Sequence, residues 1–389
     1  MINLSEPSIS NKELNLVKKV LKSKNLVDGY YQNEAEKLIK KIIKARYVAL
    51  TQSCSSALEA ASIIIDLNYE DEVLMPSYTF TSTANSVIMR GAKPVFVDIL
   101  PNLNLDLNDL EKKITKKTKA IYVVHYGGMC CDLDRLIRIK KKNKLFLVED
   151  AAHAFLSKYK KKYLGTYGDM ATFSFHATKN FVGGQAGALV INNKKFIESA
   201  DIILDKGTDR KKLINFKTKF VSAQKIKNKK VYSWQNIGSE YRATEISSAL
   251  VYSQINRRHE LQSKRSVIWK LYFEKLNKLK DSNFQILIPE KNTTTSFHNF
   301  VLIMKSQSIA KKLIYYLYKE KKIFASFHYI PLHNSKFSKK ILKINQTLPI
   351  TESIYNRIVR LPLHPNLTKE DALFVINSIK SYFRRNKIT

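Results

Sequence analysis

The chain has 389 residues, of which 44% are apolar, and it contains 20 Tyr and 19 Phe. These values are typical of a globular protein with a large core, and they exclude a disordered chain. No apolar run approaches the roughly 18 residues that a membrane helix needs. The opening segment, "MINLSEPSISNKEL", lacks the pattern of a secretory leader. We therefore expect no membrane insertion and a cytoplasmic location, which also fits the absence of a disulfide framework among three cysteines.

The formal net charge of +34 comes from 67 basic and 33 acidic residues. Such an excess can indicate a nucleic-acid partner, or simply lysine placed at solvated positions. The basic residues are spread along the chain, as in "KEKK", "KKIIKAR" and "KKNK", and no zinc knuckle or RNP-type aromatic motif accompanies them. This distribution favours the second interpretation, so no specific nucleic-acid partner is expected. A basic nucleic-acid-binding protein is the non-enzyme alternative.

Short apolar runs alternate with helix-like stretches through the first half of the chain. Strands are predicted at "RYVAL" (46–50), "DEVLMP" (71–76), "PVFVDI" (94–99), "KAIYVVHY" (119–126), "KLFLVED" (144–150), "DMATFSF" (169–175) and "GALVIN" (187–192). Their nearly continuous hydrophobicity indicates strands that are buried on both faces. The alternation predicts an α/β fold with a mostly parallel seven-stranded sheet covered by helices. Ligands of such sheets lie at the carboxyl ends of the strands.

The pattern changes near residue 245. Residues 245–279 are predicted to form one long connector helix, and the remaining strands and amphipathic helices indicate a smaller α+β domain. We therefore predict a large domain over residues 1–245 and a connector helix with a small C-terminal domain over residues 246–389. The basic, aperiodic stretch 210–233 is predicted to be an exposed excursion.

Polar side chains follow three of the predicted strands. Asp150 ends "LVED", Ser174 and Lys179 follow another strand in "SFHATKN", and Ser55 and Ser56 lie between a strand and a helix start, where backbone N–H groups favour an anion. Each feature alone has an ordinary explanation as a helix cap, a solvated lysine or a turn. Together they match pyridoxal phosphate (PLP), which needs a lysine for covalent attachment, a carboxylate at its pyridine nitrogen and an anion site for its phosphate. The sequence therefore predicts that Lys179 carries the cofactor.

Longer motifs support this prediction. The stretches "VEDAAHA", "SFHATKN", "GGQAGALV", "PSYTFTSTANSV" and "FHYIPLH" resemble the nucleotide-sugar aminotransferases of the DegT/DnrJ/EryC1/StrS family. The resemblance extends from about residue 2 to the final helix. It implies the PLP-dependent aspartate-aminotransferase-like fold, also called fold type I.

The resemblance implies roles for residues around the cofactor ring. Lys179 would hold the cofactor and move a proton between the substrate carbon and the cofactor. Asp150 would pair with the pyridinium nitrogen, and both residues are the predicted catalytic pair. His153 would lie near the ring hydroxyl, and Phe80 would stack on the ring face.

The resemblance also implies binding residues farther from the ring. Ser55, Ser56 and Ser174 would bind the cofactor phosphate. Tyr329 and His333, in "FHYIPLH", would reach toward the sugar nucleotide. No metal is expected, since Cys130 and Cys131 lack the spacing and partners of a metal site.

The implied reaction transfers the amino group of L-glutamate to a dTDP-4-keto-6-deoxy sugar. The motifs are most like those of the family branch that aminates C4 of dTDP-4-dehydro-6-deoxy-D-glucose and gives dTDP-4-amino-4,6-dideoxy-D-galactose for enterobacterial common antigen. Family members are homodimers with sites at the subunit interface. Amination at another keto position, or of another nucleotide sugar, is the alternative. In the dehydratase branch a histidine replaces the lysine, so Lys179 argues against that branch.

Two residues depart from the family pattern. Gln185 stands where relatives carry Glu, and Glu240, in "GSEYR", stands where many carry an Asn that reaches the partner's cofactor phosphate. An ionised carboxylate would repel that phosphate. We therefore expect Glu240 to turn away and pair with a basic residue such as Arg242. The alternative is that the neighbouring Ser239 takes over the donor role.

Overall fold

The computed structural model describes residues 1–210, 232–279 and 283–385. The predicted excursion at 210–233 lies outside the described residues except at its ends. Within the described ranges, no helix is both long and apolar enough to cross a membrane.

The described residues form thirteen strands in three sheets. The strands are β1 (Tyr47–Thr51), β2 (Glu72–Pro76), β3 (Lys93–Val97), β4 (Thr118–Val124), β5 (Phe146–Asp150), β6 (Lys158–Tyr159), β7 (Lys162–Tyr163), β8 (Met170–Ser174), β9 (Gly187–Ile191), β10 (Phe284–Ile286), β11 (Thr293–Thr294), β12 (Phe300–Met304) and β13 (Ile358–Leu361). The seven strands predicted from the first half of the sequence all belong to the largest sheet, which confirms the predicted α/β class.

The large sheet has the strand order β1-β9-β8-β5-β4-β2-β3. Only β9 runs antiparallel to its neighbours, β1 and β8, while the other adjacent pairs are parallel. In the register of β4 and β5, Val124 lies opposite Asp150. Because β4, β5 and β8 are parallel, their carboxyl ends meet at one edge of the sheet, and this edge receives the predicted site residues.

Thirteen helices of the described residues surround the sheets. They are α1 (Asn11–Ser23), α2 (Tyr30–Ile43), α3 (Cys54–Ile64), α4 (Thr81–Ile88), α5 (Leu107–Lys112), α6 (Leu133–Lys142), α7 (Ile197–Ile203), α8 (Glu245–Asn256), α9 (Arg258–Asn277), α10 (Gln307–Lys319), α11 (Lys336–Lys340), α12 (Pro349–Ile354) and α13 (Lys369–Arg385). Several begin at side-chain caps, among them Ser53 before α3 and Asp132 before α6.

The prediction of a single connector helix over residues 245–279 is wrong. Arg257 interrupts it, with φ −86° and ψ 8°, and separates α8 from α9. The guanidinium of Arg257 binds the buried carboxylate of Glu13 at 2.9 Å and also pairs with Glu260. Glu13 and Arg257 are far apart in the sequence, so the helical periodicity of residues 245–279 could not reveal that the helix breaks at Arg257.

Hydrophobic side chains cover both faces of the large sheet because adjacent strand residues point to opposite sides. On one face, Leu50 and Leu147 pack in a core to which α2 and α6 contribute. On the other, Ala49 and Val148 pack in a core to which α3 contributes. This double burial explains the nearly continuous apolar runs.

The C-terminal residues build a separate core around a three-stranded antiparallel sheet of order β10-β12-β13. Apolar residues of α9, α10 and α13 pack on it. This arrangement is an α+β layer of the kind predicted, while the boundary at residue 245 stays a prediction.

Glu149 anchors the sheet edge next to the site. Its carboxylate is fully buried and accepts hydrogen bonds from the backbone N–H groups of Gly165, Tyr167 and Gly168 at 2.6–2.7 Å. The His125 Nε2 lies 2.9 Å from the same carboxylate. These hydrogen bonds compensate the buried carboxylate for the loss of its contacts with water. Because the backbone donors belong to the loop after β7, Glu149 connects that loop to the end of β5.

Replacing this carboxylate should destabilise the protein. In Glu149→Gln the amide group can accept fewer of these bonds and points N–H groups at backbone donors, so we expect a loss of about 2–4 kcal/mol of unfolding free energy. The midpoint of urea unfolding measures the effect. The exposed Glu274, replaced in the same way, is the control and should change stability by less than about 0.5 kcal/mol. Equal midpoints for the two variants would contradict the anchoring role.

Candidate active site

A cavity of about 540 Å³ lies at the carboxyl ends of β4, β5 and β8. Its size falls in the range of small-molecule sites. Seven of the nine predicted site residues line it together: Ser55, Phe80, Asp150, His153, Ser174, Lys179 and Tyr329.

The other two predicted residues, Ser56 and His333, do not line the cavity. Ser56 belongs to the first turn of α3, where its backbone N–H and its hydroxyl both contact the Ser53 hydroxyl. The ring of His333 is buried, with Nδ1 2.6 Å from the Ser77 hydroxyl and Nε2 3.0 Å from Glu352. His333 thus holds the segment after Tyr329 in place, and no cavity contact supports the prediction that it reaches the sugar.

Lys179 lies in a closed loop after β8. Its backbone N–H donates to the His176 carbonyl, and the loop is closed by a 2.7 Å bond from the Gly183 N–H to the Phe175 carbonyl. Burial lowers the pKa of the Lys179 amine from 10.5 to about 8, and the charge of Asp150 opposes this shift. The amine is therefore far closer to its neutral, nucleophilic form at neutral pH than a solvated lysine is.

Asp150 ends β5 and is buried. Its Oδ2 accepts a 2.7 Å hydrogen bond from the Thr83 hydroxyl, and its Oδ1 accepts a 3.2 Å bond from the Ala152 N–H. Burial raises the pKa of Asp150, and these two donors together with the Lys179 charge counteract the rise. The Thr79 hydroxyl lies 2.9 Å from that of Thr83 and extends the network.

His153 and Tyr329 form a polar pair on the cavity wall. The His153 Nδ1 accepts from the Gly127 N–H at 3.3 Å, and its Nε2 lies 3.5 Å from the Tyr329 hydroxyl. Burial, with the neighbouring charges, holds the pKa of His153 well below 6.5, so the ring is neutral. Because Nδ1 is an acceptor here, the hydrogen-bond pattern assigns the ring proton to Nε2.

The start of α3, where the sequence predicts an anion site, lines the cavity. The Ser53 hydroxyl caps α3 by accepting from the Ser56 N–H, and the Ser55 hydroxyl lies 2.6 Å from that of Ser82. Gly187, at the start of β9, lies so close that a Cβ there would approach the Cys54 nitrogen to 2.4 Å. The backbone of this turn is thus held against β9, and only glycine fits.

Sequence reasoning missed several residues of the cavity. Thr79 and Ser82 both lie in the quoted stretch "SYTFTSTANSV", where only Phe80 was assigned a role. Thr83, in the same stretch, lies in the first turn of α4, and its hydroxyl is 2.9 Å from that of Thr79, which precedes the helix. His298 and Arg360 also line the cavity, and no local pattern marks them.

The two departures from the family pattern occupy different places. Gln185 lines the cavity. The carboxylate of Glu240 is half exposed and pairs with Lys206. The expected partner was Arg242, but Arg242 instead pairs with Glu36 at 3.3 Å and with Asp201 at 3.5 Å. Glu240 therefore has a basic partner, as expected, but a different one.

The residues present fit pyridoxal phosphate. Hydroxyl groups and the helix N-terminus at the start of α3 suit a phosphate, and Asp150 suits a protonated pyridine nitrogen. Lys179 supplies an amine with a lowered pKa, and Phe80 presents a half-exposed aromatic ring at the cavity. Within the described ranges, no cluster of three or more His, Cys, Asp or Glu side chains is arranged to hold a metal.

Comparison with known proteins agrees with this arrangement. The model of the DegT/DnrJ/EryC1/StrS aminotransferase family matches residues 7–380. The chain belongs to this family. The predicted family membership is thereby confirmed, and the reaction class is amino-group transfer.

Individual relatives match over nearly their full length. GDP-perosamine synthase of Escherichia coli O157:H7 is 28% identical, with 98% of each chain covered. A UDP-4-amino-4,6-dideoxy-N-acetyl-beta-L-altrosamine transaminase of Campylobacter jejuni is 27% identical over 100% of this chain and 99% of its own.

Among solved structures, the putative sugar aminotransferase Spr1654 of Streptococcus pneumoniae is 25% identical in two cofactor forms. Its PMP form has a TM-score of 0.89 and covers 99% of this chain and 100% of its own. Its PLP form has a TM-score of 0.88, with 98% of both chains covered. These matches confirm the predicted fold type and support PLP as the cofactor of this family.

The lowered pKa of Lys179 has a direct consequence for its reactivity. Only a neutral amine reacts with acetic anhydride, so the acetylation rate of Lys179 in the cofactor-free protein should rise with a midpoint near pH 8. Lys37 is the control, because its hydrogen bond to Glu34 raises the pKa above 10.5. Competitive labelling followed by peptide mass analysis measures both residues in one sample. Parallel pH profiles for the two lysines would contradict the burial of the Lys179 amine.

Proposed function

We propose that this protein is a PLP-dependent nucleotide-sugar transaminase. In the proposed reaction, L-glutamate donates its amino group and the C4 ketone of dTDP-4-dehydro-6-deoxy-D-glucose accepts it. The product would be dTDP-4-amino-4,6-dideoxy-D-galactose, and its use in enterobacterial common antigen is part of the same proposal. The single observation that carries the proposal is the placement of Lys179 and Asp150 in one cavity with the anion site at the start of α3.

Bound PLP would supply an electron sink that stabilises negative charge at the carbon next to the transferred nitrogen. Lys179 would hold the cofactor, and its amine would then take a proton from the donor carbon and deliver one to the acceptor carbon. A pKa of about 8 suits both tasks, because general bases and acids work best near the operating pH. The same side chain thus serves both half-reactions.

The remaining predicted residues would orient the reactants. Asp150, held by Thr83 and Ala152, would keep a proton on the pyridine nitrogen by placing a negative charge beside it. The Nε2–H of neutral His153 would donate to an oxygen at the ring edge, with Tyr329 beside it. Ser55 and Ser174 would bind the phosphate together with the first N–H groups of α3, whereas the N–H and the hydroxyl of Ser56 both contact the Ser53 hydroxyl.

The sugar acceptor is proposed from the motifs of the sequence and from the named relatives. One relative is named for a GDP-linked amino sugar and another for a UDP-linked one. Relatives at 27–28% identity thus differ in the nucleotide, so an acceptor with another nucleotide or another keto position is the alternative. We further propose that the enzyme works as a cytoplasmic homodimer and that the basic net charge serves no nucleic acid.

The carboxylate of Asp150 should be essential for turnover. Asp150→Asn keeps the shape but removes the charge that would hold the pyridinium proton, so we expect turnover to fall by roughly 10²–10⁴-fold. Thr83→Val removes one hydrogen bond to the carboxylate without changing the charge, and it should have a smaller effect, on the order of tenfold. Steady-state kinetics with circular dichroism as the folding control tests both variants. Near-normal turnover of Asp150→Asn would mean that this residue is only a structural cap.

The acceptor is tested by product analysis. Purified protein loaded with PLP is incubated with L-glutamate and, separately, with dTDP-linked 4-keto and 3-keto sugars and their GDP and UDP counterparts. Mass spectrometry should show the amino sugar from the dTDP-linked 4-keto substrate at the highest rate. Lys179→Ala should give no product, since it lacks both nucleophile and base. A higher rate with another nucleotide sugar would show that this other sugar is the acceptor, while the proposed reaction class would stand.

A further inference from the structure

The segment of residues 295–299, which we call the clasp, connects β11 to β12 of the C-terminal sheet. Its side chains bind loops of the large sheet that surround the cavity. The Thr295 hydroxyl donates to the Gly127 carbonyl at 3.0 Å, and the buried Ser296 hydroxyl donates to the His153 carbonyl at 2.6 Å. The clasp therefore connects the start of the C-terminal sheet to the loops that follow β4 and β5.

The clasp also reaches the loop that carries Lys179. The side-chain amide of Asn180, the next residue, donates a 2.6 Å hydrogen bond to the Ser296 carbonyl, and its Oδ1 lies 2.8 Å from the His298 Nδ1. Because the amide oxygen can only accept, the His298 Nδ1 carries the proton of this bond. Asn180 and His298 are both buried, so loss of the bond would leave a buried donor and a buried acceptor unpaired.

Phe297, between the two partners of Asn180, has a left-handed backbone with φ 51°. A residue other than glycine adopts this conformation at a cost in free energy, and it persists where the surrounding contacts determine it. The Phe297 carbonyl accepts from the Arg265 guanidinium at 3.3 Å, and the same nitrogen contacts the His298 carbonyl at 3.5 Å. The clasp is therefore held from two sides, by Arg265 and by Asn180.

The ring of His298 contacts a second residue of the proposed site. It stacks on the His153 ring, with 4.2 Å between the centroids and 26° between the planes. Both histidines line the cavity together with Lys179. Burial, with the nearby cations, holds the pKa of both rings well below 6.5, so the stacked rings are neutral and do not repel each other. One imidazole thus contacts His153 through its face and the neighbour of Lys179 through its edge.

We infer that His298 is a positioning residue that sets the place of the Lys179 side chain through its hydrogen bond to Asn180. The inference rests on the proposed function, in which the Lys179 amine holds the cofactor and moves the proton. A fixed backbone at residue 180 fixes the point from which the long, flexible side chain of Lys179 extends. Without the bond, the loop gains freedom and the amine meets more water. Small displacements of a reacting group reduce rates strongly, because the reaction depends on alignment.

The groups around the Lys179 amine determine how such freedom can be measured. Burial is the largest influence and lowers the pKa of the amine to about 8, the neighbouring Cys54 and Asp150 act in the opposite direction, and the Arg360 charge lowers it further. The histidines whose pKa is lowered by the Lys179 charge are His153, His176, His298 and His328. Because burial dominates, an amine that moves toward water should regain a higher pKa.

The test separates the Nδ1–H bond from the ring stack. His298→Asn keeps an N–H group near the position of Nδ1, whereas His298→Gln places its amide near the position of Nε2, and both remove the ring. Asn180→Ala breaks the same bond from its other end, so the test does not depend on the folding of one variant. Thr295→Val is the matched control, because it removes the hydroxyl through which the same clasp binds Gly127.

The measurement is competitive acetylation of the cofactor-free proteins across pH, with Lys37 as the internal reference and circular dichroism as the folding control. The acetylation midpoint of Lys179 should rise from near pH 8 by about one unit in His298→Gln and in Asn180→Ala. His298→Asn should keep most of the wild-type profile, and Thr295→Val should keep all of it. The double variant of His298→Gln and Asn180→Ala should shift no further than either single variant, because both remove one shared bond.

Three outcomes would overturn the inference. The first is a wild-type acetylation profile of Lys179 in both His298→Gln and Asn180→Ala. The second is an equal shift in His298→Asn and His298→Gln, which would assign the effect to the stacked ring. The third is a shift of the same size in Thr295→Val, which would assign it to a general loosening of the clasp.

Kinetics of the PLP-loaded protein give an independent readout. His298→Gln should lower the rate constant of the single-turnover reaction with L-glutamate by roughly tenfold or more, because proton transfer depends on the place of the amine. The glutamate concentration for half-maximal rate should change by less than about threefold, because no donor-binding group is removed. A change confined to this concentration would contradict a positioning role.

A further readout distinguishes this inference from the proposed function. Borohydride treatment of the PLP-loaded wild-type protein, followed by peptide mapping, should attach the cofactor to Lys179. Attachment at Lys179 together with unaltered acetylation profiles in the variants refutes only the role of His298. No attachment at Lys179 refutes the proposed function, while the acetylation profiles of the cofactor-free proteins still decide whether His298 positions the amine.

Discussion

The burial of a carboxylate at the end of β5 is the constraint on which the cavity depends. Asp150 loses its contact with water, which raises its pKa, and it stays in place because Thr83 and Ala152 donate to it and Lys179 faces it. The two donors and Lys179 come from different segments, namely α4, the turn after β5 and the loop after β8. Compensation of this one charge therefore aligns three parts of the chain around the same space.

The adjacent carboxylates of Glu149 and Asp150 have different roles because side chains alternate between the two faces along a β-strand. Glu149 and Asp150 point to opposite faces of the large sheet. Glu149 is surrounded by three backbone N–H groups and His125, and it holds the loop of residues 165–168 against β5. Asp150 faces the cavity instead. The fixed position of Asp150 thus depends on the packing of its neighbour on the other face.

The rest of the cavity has a cationic lining. Lys179 and Arg360 carry its cationic groups, and burial keeps the nearby histidines neutral instead of adding more charge. The first turn of α3 adds N–H groups and hydroxyls at a separate place. These cationic and N–H groups are the basis on which we propose that a phosphorylated cofactor and a charged substrate bind in the cavity.

Much of this protein is determined by local sequence. Apolar runs predicted all seven strands of the large sheet, because strands buried on both faces must be apolar throughout. Polar residues at the ends of these strands predicted Lys179, Asp150 and Ser174 at one edge, since parallel strands end together. Only the tertiary structure decided the break at Arg257, the interior position of His333 and the presence of Arg360 in the cavity. Each of these depends on partners far away in the sequence, namely Glu13, Ser77 and Asn299, and such pairings leave no periodicity in the residues themselves.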